Sequence, residues 1–169
     1  NAGGGYSGNM TAQKAIERSI NTIPIALVHQ MGVQNSYDFL TQKLELKNLN
    51  EKDINLSSMG LGGTSGGLTT LESAAAYAVF GNGGLYYEPT FYTKVTDQKG
   101  NIVLEQNTRP TPALSEDTAT VMNKMLQSVI YGGSGTGKSV ASAVTNMKLF
   151  GKTGTSSEDN DKWFVGGSP

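Results

Sequence analysis

The sequence predicts an α+β fold in which a helical subdomain is joined to an antiparallel sheet. Several segments carry apolar residues at helical spacing behind a capping residue, and the longest is 116–130, which Ser115 can cap. Other segments are short, apolar and separated by polar turns at 97–100 and 156–161, which is typical of paired antiparallel strands. The length of 169 residues suits one domain with a core and is too short for two. The core stripe of the longest helix is predicted to be Met122, Met125 and Val129.

Two short helices separated by a break are predicted near the beginning of the chain. Thr11 can cap the first helix, which should stop within residues 19–23 because Pro24 disfavours helical backbone in the residue before it. Pro24 itself suits the first turn of a second helix over 25–31, which Gly32 closes. Side chains in the break are therefore held between two helices rather than wound into one of them.

Further helices and strands follow along the chain. A helix is predicted over 36–46, a Gly/Ser-rich connection over 56–67, and another helix up to residue 80 behind the capping-box pattern of 69–72. The predicted strands are 90–95, 102–104, 148–155 and 162–166.

The composition is that of a globular protein and excludes several classes of function. With 37% hydrophobic and 16% charged residues, the chain predicts a packed core rather than disorder. The net charge of −1 offers no basic face for a nucleic-acid backbone. The absence of cysteine excludes disulfides, thiol catalysis and thiolate metal sites. We expect no membrane span and no signal peptide in these residues, and the opening Asn-Ala-Gly-Gly-Gly leads us to expect a piece of a longer protein.

Residues 132–139, Gly-Gly-Ser-Gly-Thr-Gly-Lys-Ser, match the phosphate-loop pattern G-x-x-x-x-G-K-[ST]. A phosphate loop follows a buried strand and opens a helix, so that backbone N–H groups point at the phosphate. Here the preceding segment has helical periodicity, and residues 139–145 are only weakly patterned. We therefore interpret the segment as the glycine-rich exit of a helix and rank nucleotide binding last among the functions considered.

The motif Lys152-Thr153-Gly154-Thr155 lies inside a predicted strand. The free edge of such a strand can pair with an extended peptide, and Gly154 leaves room for a substrate to approach the backbone. The Thr155 hydroxyl can bind a carboxylate and its N–H can donate to an oxyanion, while Lys152 attracts anions. The tripeptide alone is not specific, because an ordinary surface strand with a lysine gives the same letters.

Ser19-Ile20-Asn21 lies in the predicted break between the first two helices, where Ser19 and Asn21 can face the same side. A serine hydroxyl there can relay a proton, and an asparagine amide can hold a peptide carbonyl. The pattern is weak by itself, because Ser and Asn are also good helix caps and because Ser7-Gly8-Asn9 repeats the spacing in a glycine-rich stretch.

In the chain, Ser19-Ile20-Asn21 comes before Lys152-Thr153-Gly154. In that order the two motifs resemble the S-x-N and K-T-G members of the active-site set of penicillin-binding transpeptidases, whose third member is S-x-x-K. The resemblance is closest to the bifunctional, high-molecular-weight (class A) type and implies the serine β-lactamase/transpeptidase-like fold. It covers nearly the whole chain. The segments that carry it are the helix–S-x-N–helix unit of 11–32, the Ala-rich helix and Asn-Gly-Gly turn of 74–84, the Gly-Thr-Gly of 135–137 and the aromatic strand of 161–167.

One departure from the family pattern is that S-x-x-K is absent, since none of the eleven lysines has a serine three residues before it. In the family this motif, with the attacking serine, lies upstream of S-x-N. We therefore expect residues 1–169 to be part of one transpeptidase domain whose nucleophile, last strand and last helix lie outside the chain. The glycosyltransferase domain and the membrane anchor of class A proteins are absent too, and the resemblance implies a location at the outer face of the bacterial cytoplasmic membrane through that anchor.

The resemblance implies a D,D-transpeptidase that cross-links peptidoglycan by serine acyl transfer. Its partners would be stem peptides ending in D-Ala-D-Ala and β-lactam antibiotics, with no cofactor, metal or nucleic acid. Ser19 would relay a proton to or from the leaving group, Asn21 would hold the peptide amide, and Lys152 would support Ser19 and the substrate carboxylate electrostatically. The substrate-binding residues would be Thr153, Gly154 and Thr155.

Two other interpretations remain open. A β-lactam-hydrolysing or β-lactam-sensing relative would share the fold, but a hydrolase needs a base that positions the deacylating water, and the sequence shows no motif for one. A catalytically incomplete module that only binds cell-wall peptide would share the substrate site. We expect residues 1–169 alone to behave in this second way, because they lack the nucleophile.

Overall fold

The computed structural model describes residues 8–106, 109–156 and 160–168. These ranges form an α+β fold, as predicted. The α-helices are α1 (Ala12–Glu17), α2 (Thr22–Met31), α3 (Val33–Asp38), α4 (Leu56–Leu61), α5 (Thr70–Ala78), α6 (Glu116–Tyr131) and α7 (Lys138–Ala143). The strands are β1 (Leu85–Tyr86), β2 (Lys94–Thr96), β3 (Ile102–Glu105), β4 (Thr111–Pro112), β5 (Phe150–Thr155) and β6 (Lys162–Gly167). No helix in the described ranges combines the length and the apolar character that crossing a bilayer requires.

The predicted break between the first two helices is confirmed. The Thr11 hydroxyl accepts a hydrogen bond from the backbone N–H of Lys14 and caps α1. The helix ends at Glu17, and α2 begins at Thr22 with Pro24 in its first turn, where the missing N–H of proline costs no helical hydrogen bond. Gly32, at φ 87°, separates α2 from α3.

Three predictions between and after the main helices are corrected. The helix predicted over 36–46 begins earlier, at Val33, and passes from α3 into a π-helix at Phe39–Lys43. The predicted connection over 56–67 is wrong in its first six residues, which form α4 because the Asn55 side chain caps the helix at the N–H of Ser58. Residues 139–145, in which no helix was predicted, contain most of α7.

The capping box of α5 is confirmed. The Thr69 hydroxyl accepts from the N–H of Glu72, and the Glu72 carboxylate accepts from the N–H of Thr69 at 2.9 Å. The helix ends at Ala78, two residues before the predicted end.

Three antiparallel pairs of strands lie in the described ranges. The predicted hairpin is confirmed as β2–β3, although β2 is shorter than expected, and its turn is held by Asp97, which accepts from the N–H groups of Lys99 and Asn101. The predicted pairing of the last two strands is confirmed as β5–β6, with Lys152 opposite Val165. The short pair β1–β4 was not predicted.

Helix α6 joins the two halves of the fold, because it packs against both α1 and β5. Val129 is fully buried in it, as predicted, but Met122 and Met125 are only half-buried. The most buried apolar positions of α6 are instead Ala119, Leu126, Val129 and Ile130. A second core of Leu44, Leu46, Leu49, Val79 and Tyr86 lies where α5 and β1 meet the segment after the π-helix. Since α1 leads into the break and β5 carries the Lys-Thr-Gly motif, α6 fixes the positions of both motifs.

Candidate active site

Ser19 and Lys152 lie 133 residues apart in the chain and meet at the surface. The Lys152 ammonium donates to Ser19 Oγ at 2.7 Å and to the backbone carbonyl of Thr153 at 2.8 Å. An ammonium has three N–H donors, so one remains after these two hydrogen bonds. The arrangement can pass a proton between lysine and serine and can offer positive charge to an anionic ligand.

Ser19 has a backbone conformation that is rare for its residue type. Its φ is +54°, in the left-handed region that disfavours residues with a Cβ. Two hydrogen bonds hold it there, from Ser19 N–H to the Ile16 carbonyl and from Ile20 N–H to the Ala15 carbonyl. Backbone strain of this kind is concentrated at functional sites, where the surrounding structure fixes it.

Burial lowers the pKa of Lys152, because the charged form loses solvation between β5 and the Ser19 loop. In the part of the chain that the structure describes, burial is the one cause of this pKa shift, and the hydrogen-bond partners of the ammonium are uncharged oxygens. Among these residues the positive charge is therefore not neutralised by an ion pair, and it is available to a substrate.

Asn21 stands at the first cap position of α2, but its side chain makes no capping hydrogen bond. The residue is exposed. The structure therefore places the Asn21 amide next to the Ser19 loop with its hydrogen-bonding groups free of the helix, which a purely capping role would not give.

Thr153, Gly154 and Thr155 complete β5. The Thr153 hydroxyl lies 2.6 Å from the hydroxyl of Thr136, and either group can donate. Gly154 and Thr155 are exposed, and a Cβ added at Gly154 would make only an ordinary contact of 3.5 Å with the Cβ of Trp163. Within the described ranges β5 pairs with β6 alone, so its second edge has no strand partner there.

The glycine-rich segment 132–137 brings Thr136 to the Thr153 side chain, a contact that the sequence analysis did not predict. Ser134 N–H donates to Glu17 Oε1 at 2.7 Å, and the N–H of Gly137 donates to the Val129 carbonyl. The letters Gly-Thr-Gly of 135–137 were the only sign of this segment's role in the sequence, since Glu17, which accepts from the Ser134 N–H, is distant in the chain.

The same contacts decide against the phosphate-loop match. Helix α6 precedes the loop, as predicted, so the required strand is missing. A short helix does follow, contrary to the prediction, but the Ser134 N–H is already taken by a carboxylate and the Lys138 ammonium donates to the Gly133 carbonyl. A loop that binds a carboxylate with its N–H group and turns its lysine back on its own backbone is not arranged for phosphate.

Two further points concern a possible metal site and the second Ser-x-Asn pattern. Among the described residues, no group of three or more His, Cys, Asp or Glu side chains lies close enough to hold a metal ion. Ser7, the first residue of the second Ser-x-Asn pattern, lies outside the described residues.

Comparisons with known proteins give the family. Residues 2–169 match the family described as penicillin binding protein transpeptidase domain. The chain is 37% identical over 169 residues to penicillin-binding protein 1A of Clostridium acetobutylicum, covering 100% of the chain and 20% of that protein. It is 36% identical over 160 residues to penicillin-binding protein 4 of Bacillus subtilis, covering 94% of the chain and 24% of that protein. The chain thus spans only a fifth to a quarter of the length of these two relatives.

Solved structures show the same fold. Penicillin-binding protein 1A from Haemophilus influenzae superposes with a TM-score of 0.78 at 23% identity, over 96% of this chain and 29% of that one. Penicillin-binding protein A from M. tuberculosis, solved as an imipenem acyl-enzyme complex, superposes with a TM-score of 0.73 at 17% identity, over 100% of this chain and 42% of that one. The predicted transpeptidase-like fold is confirmed, and the chain belongs to the penicillin-binding protein transpeptidase family.

Proposed function

We propose that the full-length protein containing this chain is a serine-type D,D-transpeptidase that cross-links peptidoglycan stem peptides and is acylated by penicillin. The observation that carries the proposal is the 2.7 Å hydrogen bond from Lys152 Nζ to Ser19 Oγ in a member of this family. It joins the two motifs that the sequence separates by more than a hundred residues, and among the described residues the lysine charge has no carboxylate partner.

In this proposal the nucleophile is the serine of an S-x-x-K motif outside residues 1–169, which form part of one transpeptidase domain. Its hydroxyl gives its proton to the lysine of that motif while its oxygen attacks the penultimate D-Ala carbonyl, so that a C–O bond forms and the peptide C–N bond breaks. The departing D-Ala nitrogen takes up a proton. Ser19 delivers this proton through its hydroxyl, and Lys152 restores the hydroxyl through the hydrogen bond between them. An amine of a second peptide then attacks the ester, its proton returns through Ser19 to Lys152, and the serine leaves with the proton held by the lysine of S-x-x-K.

The residues on β5 and at the start of α2 bind the donor peptide. Asn21 holds the peptide amide, for which its free and exposed side chain is suited. Thr153 and Thr155 bind the terminal carboxylate, and the Thr155 N–H is one oxyanion donor. Exposure of Gly154 lets the substrate approach the strand edge.

The partners and location follow from the same proposal. Stem peptides ending in D-Ala-D-Ala are the substrates, and β-lactams acylate the same serine. The imipenem acyl-enzyme of the M. tuberculosis protein, which shares the fold, supports β-lactam binding here. The domain would stand on the outer face of the cytoplasmic membrane, held by an anchor outside residues 1–169.

The proposal is tested by D-alanine release and peptide dimer formation with the purified full-length protein, a D-Ala-D-Ala pentapeptide and an amine acceptor. We expect Ser19→Ala to lower turnover roughly a hundredfold or more, the range of general acid–base catalysis. Ser57→Ala, at an exposed serine of α4 that belongs to neither motif, is the matched control and should leave turnover unchanged.

Each alternative function gives a different result in this assay. Penicillin that is turned over rapidly to the hydrolysed product would indicate a β-lactamase. Peptide binding without D-alanine release would indicate a catalytically incomplete module. Full turnover in Ser19→Ala would contradict the proton-relay role even if the protein is a transpeptidase.

A further inference from the structure

Glu17 is a buried carboxylate that joins two distant parts of the chain. Its side chain is only 7% exposed. Its Oε1 atom accepts from the Ser134 backbone N–H at 2.7 Å and from the Lys14 ammonium at 3.0 Å. The Lys14 ammonium also reaches Ser134 Oγ at 3.4 Å, so the three residues form one polar cluster between α1 and the loop after α6.

Each end of this link leads directly into the candidate active site. Glu17 is the last residue of α1 and lies two positions before Ser19. Ser134 lies two positions before Thr136, whose hydroxyl contacts Thr153 at 2.6 Å. A single carboxylate therefore ties the segment that carries Ser19 to the segment that supports the Lys-Thr-Gly strand.

The loop is built to admit the carboxylate. A Cβ at Gly132 would lie 2.4 Å from the Ser128 carbonyl oxygen and 2.6 Å from Glu17 Cδ, both closer than a Cβ tolerates, so only glycine lets the helix end and the carboxylate share this space. The N–H of Ser134 and the Lys14 ammonium lower the pKa of Glu17, which keeps it ionised and accepting. Four of the six residues in 132–137 are glycine, so the free loop has many conformations, and the Glu17 contact adds to the backbone hydrogen bonds of Gly135 and Gly137 that hold one of them.

We propose that Glu17 is a positioning residue for the transpeptidase reaction, which sets the Ser19 loop and the Thr136–Thr153 contact in a common register. The inference rests on the proposed function. Glu17 is too deeply buried to touch the substrate and acts through Ser19 and Thr136. A misplacement of about 1 Å at a reacting group lowers rates by up to roughly a hundredfold, so loss of the link should slow acylation without removing any group that reacts.

The test compares Glu17→Ala and Glu17→Gln in the full-length protein. The second-order rate constant for acylation by a fluorescent penicillin is measured at a temperature where all variants are folded, and it is normalised to the final stoichiometry of labelling. We expect Glu17→Ala to lose roughly tenfold to a hundredfold and Glu17→Gln, whose amide oxygen can still accept from Ser134, to stay within about threefold of wild type.

Asp53→Ala is the matched control for loss of a buried carboxylate. Asp53 is 1% exposed and accepts from the backbone N–H groups of Ser65 and Asn50, a link of the same kind between other segments. It should lower the thermal midpoint while leaving the normalised acylation constant unchanged. Equal constants for wild type and folded Glu17→Ala, or equal losses in Glu17→Ala and Glu17→Gln, would overturn the proposal.

A second measurement separates this inference from the proposed function. Hydrogen exchange, followed by mass spectrometry, reports on peptides that cover Ser19 and Ser134 and needs no catalytic activity. We expect both peptides to exchange faster in Glu17→Ala than in wild type, and both to exchange at the wild-type rate in Glu17→Gln. If wild type is not acylated, the proposed function fails. Hydrogen exchange still tests whether Glu17 holds the two segments together, and faster exchange in the Ser134 peptide alone would show that it does not position the Ser19 loop.

Discussion

Replacing Lys152 by methionine tests the electrostatic centre of the site. Methionine matches the length of the lysine stem but removes the charge and both hydrogen bonds, to Ser19 Oγ at 2.7 Å and to the Thr153 carbonyl at 2.8 Å. A hydrogen bond that involves a charged group contributes about 1.5–3 kcal/mol. If the bond to Ser19 is needed in the transition state, its loss slows acylation roughly 10-fold to 150-fold, at about 1.4 kcal/mol for each factor of ten.

The assay is the second-order rate constant for acylation of the full-length protein by a fluorescent penicillin, measured across pH. Because burial lowers the pKa of Lys152, its charge is lost at a pH below the ordinary lysine value of about 10.4. We therefore expect the wild-type rate constant to fall at alkaline pH, starting below the ordinary lysine pKa, and we expect the rate constant of Lys152→Met to show no such fall. Lys94→Met, at an exposed lysine of β2, is the control and should behave as wild type. A loss below about threefold at neutral pH, with the protein folded, would contradict a role for this hydrogen bond in the transition state, because that is less than one charged hydrogen bond supplies.

Three further predictions test the surroundings of the site. Gly154→Ala should change the free energy of unfolding by less than about 1 kcal/mol, since its Cβ meets only Trp163 at 3.5 Å, yet it should slow acylation roughly tenfold by obstructing the strand edge. Urea unfolding measures the first effect and penicillin labelling the second. Equal labelling rates for the variant and wild type would argue against substrate binding at this edge. Phe150→Ala should destabilise the domain by about 3–5 kcal/mol, since the ring is 2% exposed; urea unfolding followed by Trp163 fluorescence measures it, and a change under about 1 kcal/mol would contradict the described packing. Backbone N–H groups lower the pKa of Asp53, so the stability that its carboxylate contributes is present above the ordinary aspartate pKa of about 3.9 and is lost as the pH falls through the lower pKa of the folded state. The difference in thermal midpoint between wild type and Asp53→Asn should therefore become smaller below about pH 4. A difference that stays constant with pH would contradict this linkage.

Local signals in the sequence predicted much of the fold. Caps act within one turn, so Thr11 and the Thr69–Glu72 box could be recognised from neighbouring letters alone. Pro24 and Gly32 set the ends of helices through their own backbone preferences. Helix α4 was missed because its glycine and serine content is typical of loops, and its formation depends on a cap at Asn55 and on packing against α2.

The candidate site was predicted in part for a related reason. The letters of the two motifs nominated Ser19 and Lys152, and the structure brings these two side chains into contact. Glu17 and Thr136 were not nominated, because each gains its place through a partner more than ten residues away, Ser134 and Thr153. No periodicity or motif spacing records such contacts, which depend on the packing of both α1 and β5 against α6.

The most direct test of the central claim is intact-mass analysis after addition of a penicillin, on residues 1–169 and on a version extended upstream through S-x-x-K. We predict one covalent adduct on the extended protein, mapped by peptide sequencing to the serine of that motif, and none on residues 1–169. An adduct on a residue within 1–169 would contradict the assignment of the nucleophile, and no adduct on either protein would contradict the transpeptidase function itself.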